Sequence, residues 1–140
     1  MILCKKFRFD AAHRLPHYSG KCYNIHDHTF FLDVEIEGTV NSDGFVIDFI
    51  CLKSIVEAEV ISIFDHSYLN DIIENPTCEN VIKWIWNKLS PNLLVESHSD
   101  GYSDGWRRLY KLRLWETPDS YAEYSGEMAE SEAQGINSRK

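Results

Sequence analysis

The sequence has 140 residues, with 22 acidic against 14 basic side chains and a formal net charge of −8. This length suits one domain that buries about two-thirds of the surface of its unfolded chain. The acidic balance argues against general nucleic-acid binding, which needs basic clusters facing phosphate. The four cysteines include no Cys-x-x-Cys pair, and we find neither a secretory signal nor an apolar run long enough for a bilayer. We therefore expect a cytoplasmic protein with reduced thiols and no membrane partner.

Two strands are predicted at the start of the chain. The first runs from Ile2 to Phe9 with alternating polarity, and it delivers His13 at or just past its end. A loop from Tyr18 to Asn24 separates it from the second strand. One face of that strand is apolar and consists of Phe30, Leu32, Val34 and Ile36. His28 is an even number of residues from them and therefore lies on the same face.

Two helices are predicted in the middle of the chain. Asp48 is the expected N-cap of the first, and its apolar residues recur at helical spacing: Leu52, Ile55, Val56, Val60, Ile63 and Phe64. Thr77 is the expected N-cap of the second, whose buried stripe is Val81, Ile82, Ile85 and Leu89. Trp84 and Trp86 are expected to pack against the core rather than to contact a ligand.

The C-terminal part predicts a short strand from Leu93 to Glu96, a loop from His98 to Gly105 and a last strand from Leu109 to Thr117. In the last strand Leu112, Leu114 and Glu116 share one face, and Leu109 lies on the other. Residues 125–140 have almost no apolar content, so we expect one domain at 1–124 followed by a disordered tail. The order strand, strand, helix, helix, strand, strand predicts an α+β domain, with an antiparallel sheet and both helices on one face.

The histidines suggest a metal site. His26 and His28 are separated by one residue, so on a strand their side chains point to the same face. With His13 alongside, three imidazoles could hold zinc and leave a fourth position for water or substrate, which is typical of catalytic rather than structural sites. A His-x-His pair on its own is more often not a metal site.

Three other positions carry chemistry that has more than one interpretation. Cys22 could be a fourth metal ligand, a reactive base or a buried apolar residue. The adjacent Asp65 and His66 could be an acid–base pair or a polar helix end. Glu116, in line with apolar residues, is either at a strand end in solvent or placed to bind something.

Several short motifs follow one another in unbroken order from Lys5 to about Thr117. They are Phe7-x-Phe9-x-Ala11-Ala12-His13-Arg14-Leu15, Gly20-Lys21-Cys22, the His26/His28 pair, Ile47-Asp48-Phe49, Asp65-His66-x-x-Leu69-Asn70, Pro76-Thr77-x-Glu79-Asn80 and Glu116-Thr117. Together these motifs resemble the 6-pyruvoyl-tetrahydropterin synthase superfamily. The three-residue gap between Cys22 and His26 is most similar to its bacterial branch, the 6-carboxy-5,6,7,8-tetrahydropterin synthases.

The resemblance implies the role of each candidate residue. It implies one zinc ion per subunit on His13, His26 and His28, with Cys22 as the proton-abstracting base. Asp65 and His66 would relay protons, and Glu116 would anchor the pterin ring and join that relay. Thr77 would contact the substrate as well, and Arg14 and Lys21 are candidates for its triphosphate, although either cation could equally be surface charge with no ligand.

The resemblance also implies a reaction and an assembly. The substrate would be 7,8-dihydroneopterin triphosphate, and the products 6-carboxy-tetrahydropterin, acetaldehyde and triphosphate, on the route to queuosine. The implied fold is the tunnelling fold (T-fold), in which sheets of several subunits close into a barrel. The expected assembly is a homohexamer, a dimer of trimers, with active sites between subunits.

Asp27 departs from the family motif, which has glycine between the two histidines. A side chain there could disturb the local backbone or reach the metal shell or a ligand histidine. Three alternatives to the carboxy-forming lyase therefore stay open: a pyruvoyl-forming synthase, a non-catalytic pterin-binding protein disabled at Asp27, and a zinc-stabilised assembly module in which Cys22 is the fourth ligand.

Overall fold

The computed structural model describes residues 1–96 and 104–127. The strands are β1 (Ile2–His13), β2 (His26–Gly38), β3 (Ser67–Tyr68), β4 (Arg107–Thr117) and β5 (Ser120–Tyr124). The helices are α1 (Phe49–Val56), α2 (Ser62–Phe64) and α3 (Cys78–Leu93), with a π-helical turn (Glu57–Ile61) joining α1 to α2. Single 3-10 turns occur at Lys21–Tyr23 and Leu69–Asp71.

The five strands form one sheet in the order β3-β1-β2-β4-β5. The four longer strands pair antiparallel, and two-residue β3 runs parallel to β1 at the sheet edge. Together with the helical segment α1–α2 and helix α3, this confirms the predicted α+β class and the T-fold arrangement of one chain. The predicted order of elements needs three changes: β3 and β5 are added, and the strand predicted from Leu93 to Glu96 is lost.

The core lies where the apolar face of the sheet meets the helices. Phe30, Leu32, Val34 and Ile36 of β2 are all fully buried, as their alternation predicts. The helices bury the residues that recur at helical spacing, among them Leu52, Val56, Val60, Phe64, Val81, Ile85 and Leu89. Trp84 packs against Phe64 with ring centroids 4.5 Å apart, which confirms its packing role.

Both predicted helix caps are confirmed. The Asp48 carboxylate accepts a hydrogen bond from the Ile50 N–H at 2.8 Å, and the Thr77 hydroxyl accepts one from the Asn80 N–H at 3.2 Å. These bonds satisfy N–H groups that a helix start leaves without partners inside the helix. The second cap directly follows Pro76, whose carbonyl contacts His13 in the site described below.

The predicted strand from Leu93 to Glu96 is wrong, because α3 continues through Pro91 to Leu93 and only Val95 forms a single bridge, to Arg107. The strand that completes the sheet is β5, which sequence analysis missed. Leu109 is buried rather than on the outer face. The reason is a register shift in the β2–β4 pairing, which leaves Tyr110 unmatched and turns Leu109 back to the core.

Part of the predicted loop and most of the predicted tail, residues 97–103 and 128–140, lie outside the described residues. Gly126 lies beyond the predicted domain end at 124, yet it is buried against Trp86. No helix within 1–96 and 104–127 has the length and apolar character needed to cross a membrane.

Candidate functional site

The β1–β2 pairing brings the three predicted ligand histidines together. His13 ends β1 and lies opposite His26, the first residue of β2, while His28 lies opposite Ala11. Because residues two apart on a strand share a face, all three imidazoles point to the same side of the sheet. Their ring centroids are 4.4 Å (His13–His26), 4.8 Å (His26–His28) and 5.2 Å (His13–His28) apart.

Glu116 of β4 joins this cluster. Its Oε1 atom lies 3.2 Å from His13 Nε2 and 3.3 Å from His28 Nε2. The ligand atoms of His13, His26, His28 and Glu116 all lie within 4.8 Å of one another, so the group could hold a metal ion. We call these four residues the His₃Glu cluster.

Backbone carbonyls orient two of the imidazoles. His13 Nδ1 lies 2.8 Å from the Pro76 carbonyl oxygen, and His26 Nδ1 lies 2.9 Å from that of Asn24. A carbonyl oxygen can only accept, so each Nδ1 carries the hydrogen and donates it. In the neutral imidazole the Nε2 atom then presents its lone pair, which is the state that a metal ligand needs.

The environment of the cluster fits a bound metal. His13 is fully buried, and its Nε2 atom has no hydrogen-bond partner, which is costly for a polar atom unless something binds there. Burial also lowers the pKa of His28, which favours the neutral imidazole.

Asp27 does not belong to the cluster. It is exposed and pairs with Ala12 in the regular β1–β2 ladder, so its side chain leaves the strand on the face opposite to His26 and His28. Among the described non-glycine residues, positive φ occurs at His66 and not at Asp27. The backbone between the two histidines therefore accepts a side chain without strain.

Asp65 and His66 lie side by side directly after α2. Asp65 Oδ2 lies 3.6 Å from His66 Nε2, and Asp65 Oδ1 accepts a hydrogen bond from the Asp10 N–H at 3.0 Å. His66 has a left-handed backbone (φ 58°) and a side chain that is 81% exposed. A cleft of about 570 Å³ connects His66 to His28; its lining is Asp10, Ala11, Ala12, Asp27, His28, Thr29, His66 and Ser67.

The structure places the other predicted residues around the turn that precedes β2. Cys22 is half-buried in the 3-10 turn, and its carbonyl accepts a hydrogen bond from the Leu15 N–H at 2.8 Å. Its thiol is not part of the His₃Glu cluster. Lys21 is exposed, and the Arg14 guanidinium lies over the Tyr23 ring at 5.1 Å.

Sequence analysis missed two positioning residues and one contact. Asn70 binds both backbone groups of Arg14, and the Pro76 carbonyl orients His13. The missed contact is that of Glu116 with the imidazoles. The sequence shows that Glu116 lies on the same strand face as Leu112 and Leu114. It does not show that β4 pairs with β2, and this pairing brings Glu116 beside His28.

The fold and the cluster together define a candidate metal-binding enzyme of the α+β class. The family model described as 6-pyruvoyl tetrahydropterin synthase matches residues 2–127. A Haemophilus influenzae protein named 6-carboxy-5,6,7,8-tetrahydropterin synthase is 32% identical over 87% of this chain and 96% of its own length. A Pyrococcus furiosus protein named dihydroneopterin monophosphate aldolase is 38% identical, covering 77% of this chain and 82% of its own.

Solved structures agree with the sequence relatives. The structure of Caenorhabditis elegans 6-pyruvoyl tetrahydropterin synthase superposes with a TM-score of 0.72 at 29% identity, covering 90% of this chain and 95% of that one. The chain therefore belongs to the 6-pyruvoyl tetrahydropterin synthase family, as the sequence motifs predicted.

Proposed function

We propose that the chain is a zinc-dependent lyase that converts 7,8-dihydroneopterin triphosphate to 6-carboxy-5,6,7,8-tetrahydropterin, with release of acetaldehyde and triphosphate, in queuosine biosynthesis. The name of the Haemophilus influenzae relative, which aligns over almost its whole length, supports this activity. The observation that carries the proposal is the cluster of three imidazoles, two of them with Nδ1 bonded to a carbonyl and Nε2 free for a metal.

The donor set suits zinc. Imidazole nitrogens with a carboxylate are common zinc ligands, and three protein ligands plus one exchangeable position are typical of catalytic sites. His13, His26 and His28 would hold the ion. When bound, zinc would act as a Lewis acid that makes protons next to a coordinated side-chain oxygen easier to remove.

The other residues would bind the substrate and move protons. Cys22 would be the base that removes a proton from the substrate side chain, and the Asp65–His66 pair would pass protons between cleft and solvent, which suits the 81% exposure of His66. The Glu116 carboxylate would accept hydrogen bonds from the donors of the pterin ring edge. Thr77, Arg14 and Lys21 would complete the substrate contacts.

The names of two relatives point to alternative reactions. The Pyrococcus furiosus protein is named as an aldolase for dihydroneopterin monophosphate, and the Caenorhabditis elegans structure is a 6-pyruvoyl synthase. An aldolase would cleave a carbon–carbon bond of a monophosphate substrate, whereas a pyruvoyl synthase would retain the side chain and release triphosphate. We also propose that the protein is cytoplasmic and assembles as a homohexamer with active sites between subunits.

The proposal is tested by measuring zinc per chain and analysing products by mass spectrometry. We expect about one zinc per chain, with 6-carboxy-tetrahydropterin and acetaldehyde formed from the triphosphate. Turnover of the monophosphate alone, or a product that retains its side chain, would replace the proposal with the corresponding relative's activity. Zinc without any pterin turnover would favour a binding protein, and native mass spectrometry of the same sample tests the hexamer.

A cysteine pair tests the role of Cys22. We expect Cys22→Ala to keep its zinc and lose turnover, whereas Cys51→Ala, at an exposed position on α1, should keep both. Loss of zinc from Cys22→Ala would instead make Cys22 a ligand and favour the zinc-stabilised module.

A further inference from the structure

The spacing between Glu116 and two of the imidazoles, those of His13 and His28, matches that of ligands on one metal ion. Zinc bonds to nitrogen and oxygen of about 2.0–2.1 Å in a tetrahedron place the ligand atoms roughly 3.3 Å apart. Glu116 Oε1 lies 3.2 Å from His13 Nε2 and 3.3 Å from His28 Nε2. A pterin anchor would need no such spacing from two imidazole nitrogens.

The chemistry of the contact also requires a cation. His13 donates its Nδ1 hydrogen to the Pro76 carbonyl, so its Nε2 lone pair faces the Glu116 oxygen, and both atoms are acceptors. Two acceptors at this distance repel unless a proton or a metal ion lies between them. His13 is fully buried and the Glu116 side chain is only 27% exposed, so solvent screens little of that repulsion.

The backbone directs Glu116 to this position. In the β4–β5 hairpin, Trp115 pairs with Tyr121 and Thr117 with Ser120, so Glu116 is an extra residue in a bulge. The bulge does not change the face of Glu116, which is that of Leu112 and Leu114, and these pair with Val34 and Leu32 on the face of β2 that carries His28. The strand pairing therefore gives a structural reason, independent of the distances, for a carboxylate on the side of the histidines.

We propose that Glu116 is the fourth metal ligand in the substrate-free protein, so that the resting site is a closed His₃Glu site rather than an open His₃ site. This inference takes the presence of the metal ion from the proposed function. It adds the identity of the fourth ligand in the substrate-free protein. A substrate oxygen would then take the place of the carboxylate on the metal. The displaced Glu116 carboxylate would become available to the pterin ring.

Cobalt is a suitable probe because its visible spectrum reports the ligands and coordination number of a tetrahedral site. Metal-free wild type, Glu116→Ala, Glu116→Gln and Asp27→Asn would each be titrated with Co²⁺ and then with azide. Asp27→Asn is the matched control, since it removes a nearby carboxylate that lies outside the cluster. Glu116→Gln keeps the shape of the side chain should the alanine variant fold poorly.

We expect wild type and Asp27→Asn to give the same four-coordinate spectrum, with little response to azide. Both Glu116 variants should bind Co²⁺ at least about 10–100-fold more weakly, the loss seen when even a residue behind a ligand is removed. Azide should change their spectra at much lower concentrations, and acetate should restore the wild-type spectrum of Glu116→Ala.

Three results would overturn the inference. An equal azide response in wild type and Glu116→Ala would mean that the resting site is already open. Weaker Co²⁺ binding by the Glu116 variants with an unchanged spectrum would mean that Glu116 only orders the histidines. Failure of wild type itself to bind Co²⁺ would refute the metal site and the proposed function together, whereas the first two results leave that function intact.

Discussion

Asn70 is expected to stabilise both the fold and the metal site, because it holds the backbone immediately after His13. Its Oδ1 accepts from the Arg14 N–H and its Nδ2 donates to the Arg14 carbonyl, both at 2.8 Å. The contact joins residues 56 positions apart and is partly buried. Asn70→Ala would leave both Arg14 groups without these partners.

The expected loss follows from the two bonds. At about 1 kcal/mol net for each, Asn70→Ala should lower the free energy of unfolding by ~2 kcal/mol. For a chain of this size, at roughly 3 °C per kcal/mol, that lowers Tm by about 6 °C. Asn70→Asp keeps the acceptor and loses the donor, so it should lose about half as much. Urea and thermal denaturation of metal-free protein at one fixed concentration measure both.

Asn92→Ala is the matched control. Asn92 donates one exposed hydrogen bond to the Lys88 carbonyl within α3, so its loss should be neutral or slightly stabilising, since alanine favours helix. The second expected effect of Asn70→Ala is weaker metal binding, because His13 is no longer held in place. An Asn70→Ala variant as stable as wild type, with unchanged metal affinity, would refute this account of the contact.

Three further substitutions or reactions test other parts of the structure. Burial raises the pKa of Cys78 to about 11, so only about one Cys78 thiol in a thousand is ionised at pH 8. Iodoacetamide should therefore modify the exposed Cys51 at least tenfold faster than Cys78, as measured by mass spectrometry. Equal rates would contradict the burial of Cys78. Asp27→Gly should leave metal affinity within about threefold of wild type by chelator competition, and a large gain would mean that Asp27 perturbs the cluster. Gly126→Ala should lower Tm, because its Cβ would lie 2.9 Å from Trp86 at φ 94°, and an unchanged Tm would show that this contact is not maintained.

The sequence was sufficient for the part of the site that lies on adjacent strands. Alternation along β2 assigns His28 to the same side as Phe30 without any knowledge of the strand's partners. To complete the three-histidine site, the His26/His28 pair needed only a neighbouring strand that carries a third histidine. The strand nearest in sequence, β1, ends at His13. Local signals also located both helix starts, because a cap depends only on residues within one turn.

The sequence could not predict what depends on irregular pairing. Tyr110 has no match in the pairing of β4 with β2, and this break in the period of two changes the face of Leu109. Alternation assumes a regular ladder, so it placed Leu109 on the wrong face. The predicted strand from Leu93 to Glu96 failed for a related reason: an apolar run that short fits either a strand or the end of a helix.

The register of the β1–β2 hairpin explains why Asp27 can replace glycine without entering the metal site. Phe9 stacks on Phe30 with ring centroids 5.0 Å apart, two positions from the Ala11–His28 pair, so core packing fixes which residues face inward. A slip by one residue would turn Asp27 to the cluster, but it would also expose Phe30 and Leu32 and bury their polar neighbours. Asp27 therefore lies in the cleft shared with His66, where it adds negative charge, and its carboxylate stays outside the His₃Glu cluster.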